Sequence, residues 1–292
     1  MKATLTGLIH AHESHFSKGQ RRIAAFITEH SDEAAFMTAF RLGEEVGVSE
    51  STVVRFAAEL GFDGYPQLQK AMQEMIRSKL TILQRLEVTR AHMADDEVLH
   101  DVAAADIHNI RQTMEEMDQE AFFGAVDTIV HARHLYVFAA GSCKALASFL
   151  THYLQMLLGN RVHLVTASSQ SEIFEEMLDI DRQDAVIGIS FPRYSSKAAT
   201  TLHYARSKGA RVIALTDSLL SPIATHASYR LLAHSDMASI VDSLVAPLSV
   251  INALIVAVSL KTMDQNRHKL EELERLWGDY RVYEPVDETE NG

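Results

Sequence analysis

The apolar pattern of this chain changes once, near residue 134, and that change constrains the fold more than any other feature. Beyond residue 134, five short apolar runs are separated by stretches with helical spacing; the runs are LYVFAA, VHLV, AVIGIS, VIALT and YRLL. Such alternation predicts a parallel sheet flanked by helices. Before residue 134 the apolar residues recur at helical spacing and no strand-like run persists, so this part is predicted to be all-α.

A length of 292 residues is sufficient for two domains. We expect an all-α domain over residues 3–79, helical connectors over 80–124, an α/β domain over 125–265, and a C-terminal helix and tail over 266–292. A break near Ala94, Asp95 and Asp96 marks the predicted domain boundary.

The segment SLVAPLSVINALIVAVSL, residues 243–260, is uncharged and just long enough to span a bilayer. Pro247, Asn252 and three serines interrupt it, so we interpret it as a buried helix packed on a sheet or a second subunit. The first residues carry no pattern of a secretory signal, and the single cysteine, Cys143, fits a reducing compartment. These features predict a cytoplasmic protein without a membrane partner.

The segment RLGEEVGVSESTVVRF has the spacing of a helix-turn-helix. Gly47 is predicted to end its first helix, and Ser49 to cap the second. The start of a second helix of this kind contacts base edges and phosphates, and Arg55 follows one turn later on the same side. The predicted DNA-binding residues on this helix are Ser49, Glu50, Ser51, Thr52 and Arg55.

The formal charge of −12 raises the question of how such a chain would bind a polyanion. Residues 1–80 hold nine Lys and Arg against ten Asp and Glu, whereas the remainder holds 18 against 29, so most of the negative charge lies in the second part. Binding to duplex DNA requires only a local cationic face. We expect Lys18, Arg21 and Arg22 to provide that face beside the helix-turn-helix.

Further motifs surround the helix-turn-helix. Leu60, Gly61 and Phe62 are followed by Gly64 and Tyr65, and SKGQRRIAAFITEH lies upstream. Over residues 3–79 this run of spaced motifs closely resembles the N-terminal domain of the RpiR family of transcriptional regulators. The resemblance implies a regulator whose partner is a double-stranded DNA operator.

Three predicted strands end in loops rich in hydroxyl groups. Ligands of open parallel sheets bind at the carboxyl ends of the strands, where helix N-termini and small residues face an anion. A phosphate monoester suits hydroxyl and amide donors of this kind. The third loop contains Thr216, Asp217 and Ser218, and the predicted effector-binding residues of the first two are Gly141, Ser142, Cys143, Ser190, Arg193, Tyr194, Ser195 and Ser196.

The second part resembles a SIS (sugar isomerase) domain over about residues 125–265, most clearly in ISFPRYSSKAATTLHYARSKGARVIALTDS. The resemblance implies recognition of a phosphorylated sugar or a related metabolite. The first loop departs from the common Gly-x-Gly-x-Ser, because Ala139 replaces the first glycine and Cys143 the serine. The second loop departs from Ser-x-Ser-Gly-x-Thr, because FPRY lengthens it, Ser196 replaces the glycine and Ala198 the threonine.

Cys143 allows two interpretations. At a helix start its thiol pKa would be lowered, which suits a redox sensor, whereas a lone cysteine is more commonly a small buried residue. The second is our expectation.

Two alternatives to an effector-controlled regulator remain open: an aldose-ketose isomerase, and a DNA-binding protein whose SIS domain is only an oligomer scaffold. An isomerase needs a general base. The candidate bases are Glu172, Glu175, Glu176, His203 and His226, and no spacing singles out a pair. An isomerase has no use for a helix-turn-helix, so we expect no enzymatic activity.

No HExxH or Cys/His pattern predicts a metal site, and no cofactor is expected. A single helix-turn-helix makes too few contacts for genomic selectivity, so we predict a homodimer or tetramer that reads a two-fold operator.

Overall fold

The computed structural model describes residues 5–79, 81–92, 96–236 and 240–284. Ala94 and Asp95 of the predicted boundary lie outside these residues, and Asp96 lies in a turn. Residues 5–79 contain helices and no strand, as predicted. They are α1 (Leu5–His12), α2 (Lys18–Glu29), α3 (Ser31–Ala34), α4 (Ala39–Val46), α5 (Glu50–Glu59) and α6 (Tyr65–Lys79).

The N-terminal helices enclose one apolar core, to which Ile23, Leu42, Phe56 and Leu68 contribute fully buried side chains. The rings of Phe16 and Phe56 pack with centroids 5.2 Å apart. Because these residues come from different helices, the core fixes how α5 projects from the domain.

The predicted connector region is helical. It contains α7 (Ile82–His92) and α8 (Val98–Glu116), and α9 (Gln119–His131) begins within it. Both α8 and α9 pack against the last helix, and α9 also packs on the sheet. These two helices therefore belong structurally to the α/β body.

The five predicted strands are all present. They are β1 (Leu135–Ala139), β2 (Val162–Leu164), β3 (Ala185–Ile189), β4 (Arg211–Thr216) and β5 (Tyr229–Leu232). They form one parallel sheet in the order β2-β1-β3-β4-β5. In this order the chain leaves β1 in one direction and β3 in the other, which makes the β1–β3 boundary the topological switch point where ligands of such sheets bind.

Helices cover both faces of the sheet, as expected for a parallel sheet. Val137 and Ile187 face a core shared with α9, α10 (Lys144–Leu158) and α13 (Val245–Asp279). Val186 and Val212 face the opposite core, which α11 (Gln170–Glu176) and α12 (Ser196–Ser207) cover.

The apolar segment 243–260 lies on α13, whose length and composition would also suit a membrane span. One face is buried in the sheet core through Ile251, Leu254 and Val258, so the predicted packing is found. The predicted C-terminal stretch from residue 266 is helical, but no helix begins there, because α13 continues without a break from Val245 to Asp279. No proline or glycine lies between residues 248 and 277 to interrupt it.

Candidate functional site

The helix-turn-helix is formed by α4, the turn at 47–49, and α5. Gly47 ends α4 in the left-handed conformation with φ 66°, which a residue with a Cβ adopts only at a cost. The Arg22 guanidinium on α2 donates to the Gly47 carbonyl at 2.8 Å. Arg22 thus holds the turn as well as lying on the surface.

The start of α5 differs from the prediction in one detail. Ser49 occupies the capping position, yet its hydroxyl does not accept from a backbone amide of the helix. Instead its Oγ is 2.9 Å from both Ser51 Oγ and Thr52 Oγ1. The three hydroxyls hydrogen-bond to one another. The prediction that the Ser49 side chain caps α5 is therefore wrong.

The predicted DNA-binding residues lie on one side of the domain. Arg55 stands above Ser51, donating from Nε to its carbonyl at 3.3 Å. A groove between the N-termini of α2 and α5 is lined in part by Ser17, Arg22, Ser49 and Arg55. Of the predicted residues Thr52 is half-buried, and the others are exposed: Lys18, Arg21, Arg22, Ser49, Glu50, Ser51 and Arg55.

This groove is suited to a polyanion. Two helix N-termini meet there, and their free amides and positive dipole ends attract phosphate. Guanidinium groups add charge and bidentate geometry. An acidic chain therefore has a local face with the chemistry that duplex DNA requires.

The effector-binding candidates lie where strands β1 and β3 end. After β1, Gly141 begins a short turn with φ 62° and leads into α10, leaving Ser142 exposed and Cys143 buried. Burial raises the pKa of the Cys143 thiol, and this outweighs its hydrogen bonds with the Phe191 backbone and Ser142. A buried thiol with a raised pKa favours the small buried residue over the redox sensor, which needs a low thiol pKa.

After β3, the second loop is organised by internal hydrogen bonds. Ser190 is buried, and its Oγ accepts from the Ser195 amide at 3.3 Å. Ser195 caps α12 by accepting from the Ala198 amide, and Ser196 is exposed in the first turn of that helix. Tyr194 donates to Asp217, which follows β4, at 2.9 Å. The second and third loops are thereby joined, while Ser142 stands at the neighbouring helix start.

Arg193 is exposed and has φ 60°, a conformation that costs a non-glycine residue about 1–2 kcal/mol. Strained backbone of this kind persists where the surrounding loop fixes it, and it clusters at binding sites.

Of the candidate bases, Glu172 and Glu175 are committed to local hydrogen bonds. The Glu172 carboxylate accepts from the Ser169 amide at 3.1 Å, and this bond lowers its pKa. The Glu175 carboxylate accepts from Ser171. His203 and His226 pack ring to ring, and burial lowers the pKa of His226. Glu176 is exposed.

Sequence reasoning missed a cavity of about 240 Å³ between α6 and the carboxyl edge of the sheet. Lys70 lines it from α6, and Pro192, Asp217, His234 and Asp242 line it from the α/β body. Lys70 and His234 are separated by 164 positions. No local pattern in the sequence signals a contact of that range.

The comparisons with known families agree with this two-part arrangement. Residues 3–79 match the family described as "Helix-turn-helix domain, rpiR family", and residues 128–257 match the SIS domain. The HTH-type transcriptional regulator HexR of Pseudomonas aeruginosa is 24% identical over 254 residues, covering 84% of this chain and 85% of HexR. An HTH-type transcriptional regulator of Haemophilus influenzae is 24% identical over 73% of this chain and 74% of its own.

Two solved structures have similar folds. The sugar isomerase domain of an RpiR transcription factor from Sphaerobacter thermophilus has a TM-score of 0.58 and 30% identity, covering 61% of this chain and 99% of that domain. The NanR protein of Vibrio vulnificus, complexed with ManNAc-6P, has a TM-score of 0.57 and 17% identity, covering 94% of this chain and 98% of NanR. With both parts matched in order along its length, the chain belongs to the RpiR family of helix-turn-helix transcriptional regulators.

Proposed function

We propose that the chain regulates transcription by inserting the start of α5 into the major groove of an operator. The observation that carries this proposal is the exposed edge formed by Ser49, Ser51 and Arg55 beside the cationic residues of α2. Arg55 takes a guanine or a phosphate, and Lys18 and Arg21 contact the flanking backbone. Each role remains a prediction.

The experiment is a titration of the full chain against the duplex it selects from a random pool, at fixed salt. Arg55→Ala is expected to weaken binding by about 1–3 kcal/mol. The matched control is Arg267→Ala, which removes an exposed arginine from α13 and should leave the affinity unchanged. Equal affinity of wild type and Arg55→Ala would show that α5 is not the recognition helix.

The proposed effector is a phosphorylated sugar or a related metabolite bound at the switch point between β1 and β3. Ser142, Ser195 and Ser196 lie at the starts of α10 and α12, where hydroxyls and backbone amides are available to a phosphate. NanR was solved with ManNAc-6P, a ligand of the same class. The family's common glycines and serine are partly replaced here, and Arg193 supplies a charge that the altered loops lack.

The chain acts without catalysis in this proposal. The Glu172 carboxylate, tied to the Ser169 amide and held at a low pKa, is a poor acceptor for a substrate proton. Interconversion of a bound aldose and ketose phosphate would favour the isomerase alternative, and stable binding without turnover would favour the regulator. The proposed location of such a regulator is the cytoplasm.

The proposed assembly is a homodimer or a pair of dimers that reads a two-fold operator. Val256, Leu260 and Met263 are exposed on α13, and a groove of about 380 Å³ between α8 and α13 is lined by Ile110 and Met114 among others. Apolar surface of this extent suits a second copy of the chain. Sedimentation velocity should give at least twice the mass of 32.5 kDa, and a monomeric mass at micromolar concentration would contradict this assembly.

A further inference from the structure

The cavity between the two domains is polar and small. Its volume of about 240 Å³ is the volume that roughly eight molecules occupy in liquid water. This size suits part of one sugar and is too small for a large cofactor. Pro192 and Asp217 belong to the second and third loops, so the cavity adjoins the effector site proposed above. Its other wall is α6 of the DNA-binding domain.

Lys70 is the charged residue that α6 places at this wall. Its Nζ is 3.5 Å from both ring nitrogens of His234 and 3.6 Å from the Glu116 carboxylate. Glu116 also contacts His234 Nε2 at 2.9 Å. The three side chains therefore form a single polar cluster that joins α6 to α8 and to the segment after β5.

Two glutamines of α6 connect the same wall to the helix-turn-helix. Gln69 and Gln73 line the cavity, and their amide nitrogens donate to the carbonyls of Met37 at 2.8 Å and Ala35 at 3.1 Å. Met37 immediately precedes Thr38, which caps α4. A displacement of α6 would therefore move the residues from which the first helix of the helix-turn-helix starts.

A second contact, made by the connector helix α7, ends in the cavity. Arg85 on α7 is 1% exposed and donates to the Asp242 carboxylate at 2.8 Å, and Asp242 is a lining residue. Removing one partner of a buried ion pair is strongly destabilising, so such a pair holds the two elements that it joins firmly in place. A molecule in the cavity would contact residues that hold both α6 and α7 in place.

From these contacts we infer that the effector site is shared between the domains, with Lys70 of the DNA-binding domain as a direct ligand contact. The inference rests on the proposed function and specifies how effector binding would regulate it. The phosphate binds at the starts of α10 and α12, and the sugar extends toward α6. The occupied site then favours one position of α6, and through Gln69 and Gln73 one position of α4 and α5.

The chemistry of the lining indicates which part of the ligand enters the cavity. Asp217 and Asp242 would repel a phosphate, whereas sugar hydroxyls both donate to carboxylates and accept from the Lys70 ammonium. The cavity therefore suits the neutral, hydroxyl-bearing part of a phosphosugar. Because the ligand contacts α6 directly, its preference for one arrangement becomes a change in DNA affinity.

The test uses the full chain, its selected duplex, and three probes: N-acetylmannosamine 6-phosphate, glucose 6-phosphate and fructose 6-phosphate. Calorimetry identifies the probe that wild type binds best, and fluorescence anisotropy measures the duplex Kd with and without it. The variant is Lys70→Met, which keeps the apolar stem. Lys70→Arg retains the charge, and Lys208→Met removes an exposed lysine remote from the cavity.

Lys70→Met is expected to weaken probe binding by about tenfold or more and to diminish the probe's effect on duplex Kd. Lys70→Arg should recover part of both, and Lys208→Met should match wild type. If wild type binds a probe and Lys70→Met binds it equally with the same effect on duplex Kd, the shared site is wrong while the proposed function stands. If wild type binds none of the probes, the shared site and the proposed phosphosugar effector both fail, while operator binding is judged separately from the duplex Kd without a probe.

Discussion

Single residues in this chain account for how a short turn presents the proposed DNA-reading helix. Gly47 supplies the left-handed backbone that ends α4, and Arg22 fixes the turn by donating to its carbonyl. The hydroxyls of Ser49, Ser51 and Thr52 then bond to one another at the exposed start of α5. Arg22 thus combines a structural role with its predicted contact to DNA.

Gly47→Ala is expected to lower the free energy of unfolding by about 1–2 kcal/mol, because alanine in the left-handed region is strained. Its Cβ would also approach the Arg22 Nη1 atom at 3.2 Å. Urea unfolding followed by circular dichroism measures the change.

The matched control is Gly278→Ala. Gly278 lies in the last turn of α13, and a Cβ there meets nothing within 4 Å. Alanine should therefore stabilise the helix by about 0.5–1 kcal/mol. Similar effects at both glycines would contradict the role assigned to the Gly47 turn.

Among the elements, strands β1 and β3 are held in register at their starts by Asp184. Its carboxylate accepts two bonds from the Arg133 guanidinium, at 2.9 and 2.7 Å, and further bonds from the His134 and Asp181 amides. Burial alone would raise the pKa of Asp184, but these bonds outweigh it and leave the pKa lowered. The network lies at the opposite end of the strands from the proposed effector site.

Asp184→Asn is expected to lower the free energy of unfolding at pH 7 by about 1.5–3 kcal/mol, since hydrogen bonds to a charged group are lost. A depressed folded-state pKa means that the stabilisation is complete above the unfolded value of about 3.9. It is lost as the pH falls through the lower folded-state pKa. Denaturant unfolding from pH 7 to pH 2.5 should show the difference shrinking with acid.

Asp264→Asn, at an exposed position of α13, serves as the control and should have little effect at either pH. A deficit for Asp184→Asn that stays constant down to pH 2.5 would show that the carboxylate charge is not what stabilises the strands.

The elements also show what the sequence can and cannot predict. Every strand was found where a short apolar run stands, because a parallel strand buried on both faces needs consecutive apolar residues. The continuation of α13 through residue 266 was missed, since its charged second half gave no sign of joining the apolar first half. The Lys70 cluster was missed because its members are distant in sequence and meet only when the domains pack.

For the loops, the sequence predicted the position of the candidate site residues better than their burial and hydrogen bonding. Ser190 and Ser195 stand at the end of β3 as expected, but Ser190 is buried and bonded to Ser195. Cys143 at the start of α10 is buried, as expected for a lone cysteine, although the sequence alone also allowed a reactive thiol. Burial depends on what packs over a loop, which the order of residues along it does not specify.

At the scale of the whole molecule, the uneven distribution of charge explains how an acidic chain would bind DNA as proposed. Residues 81–292 carry most of the acidic excess, and the cations of the proposed DNA-binding face lie around the starts of α2 and α5. Contacts between α6, α7 and the carboxyl edge of the sheet are the proposed link between effector binding and DNA binding. The family assignment rests on both domains. In the proposed mechanism the first binds DNA and the second binds the effector.

The most direct test of this account is the duplex Kd of the full chain measured with and without a hexose 6-phosphate, at fixed salt. The account predicts a change of about 5- to 150-fold with the phosphorylated sugar and none with the same sugar unphosphorylated. A duplex Kd that no phosphorylated sugar alters would leave a DNA-binding protein with a SIS scaffold and would contradict the account.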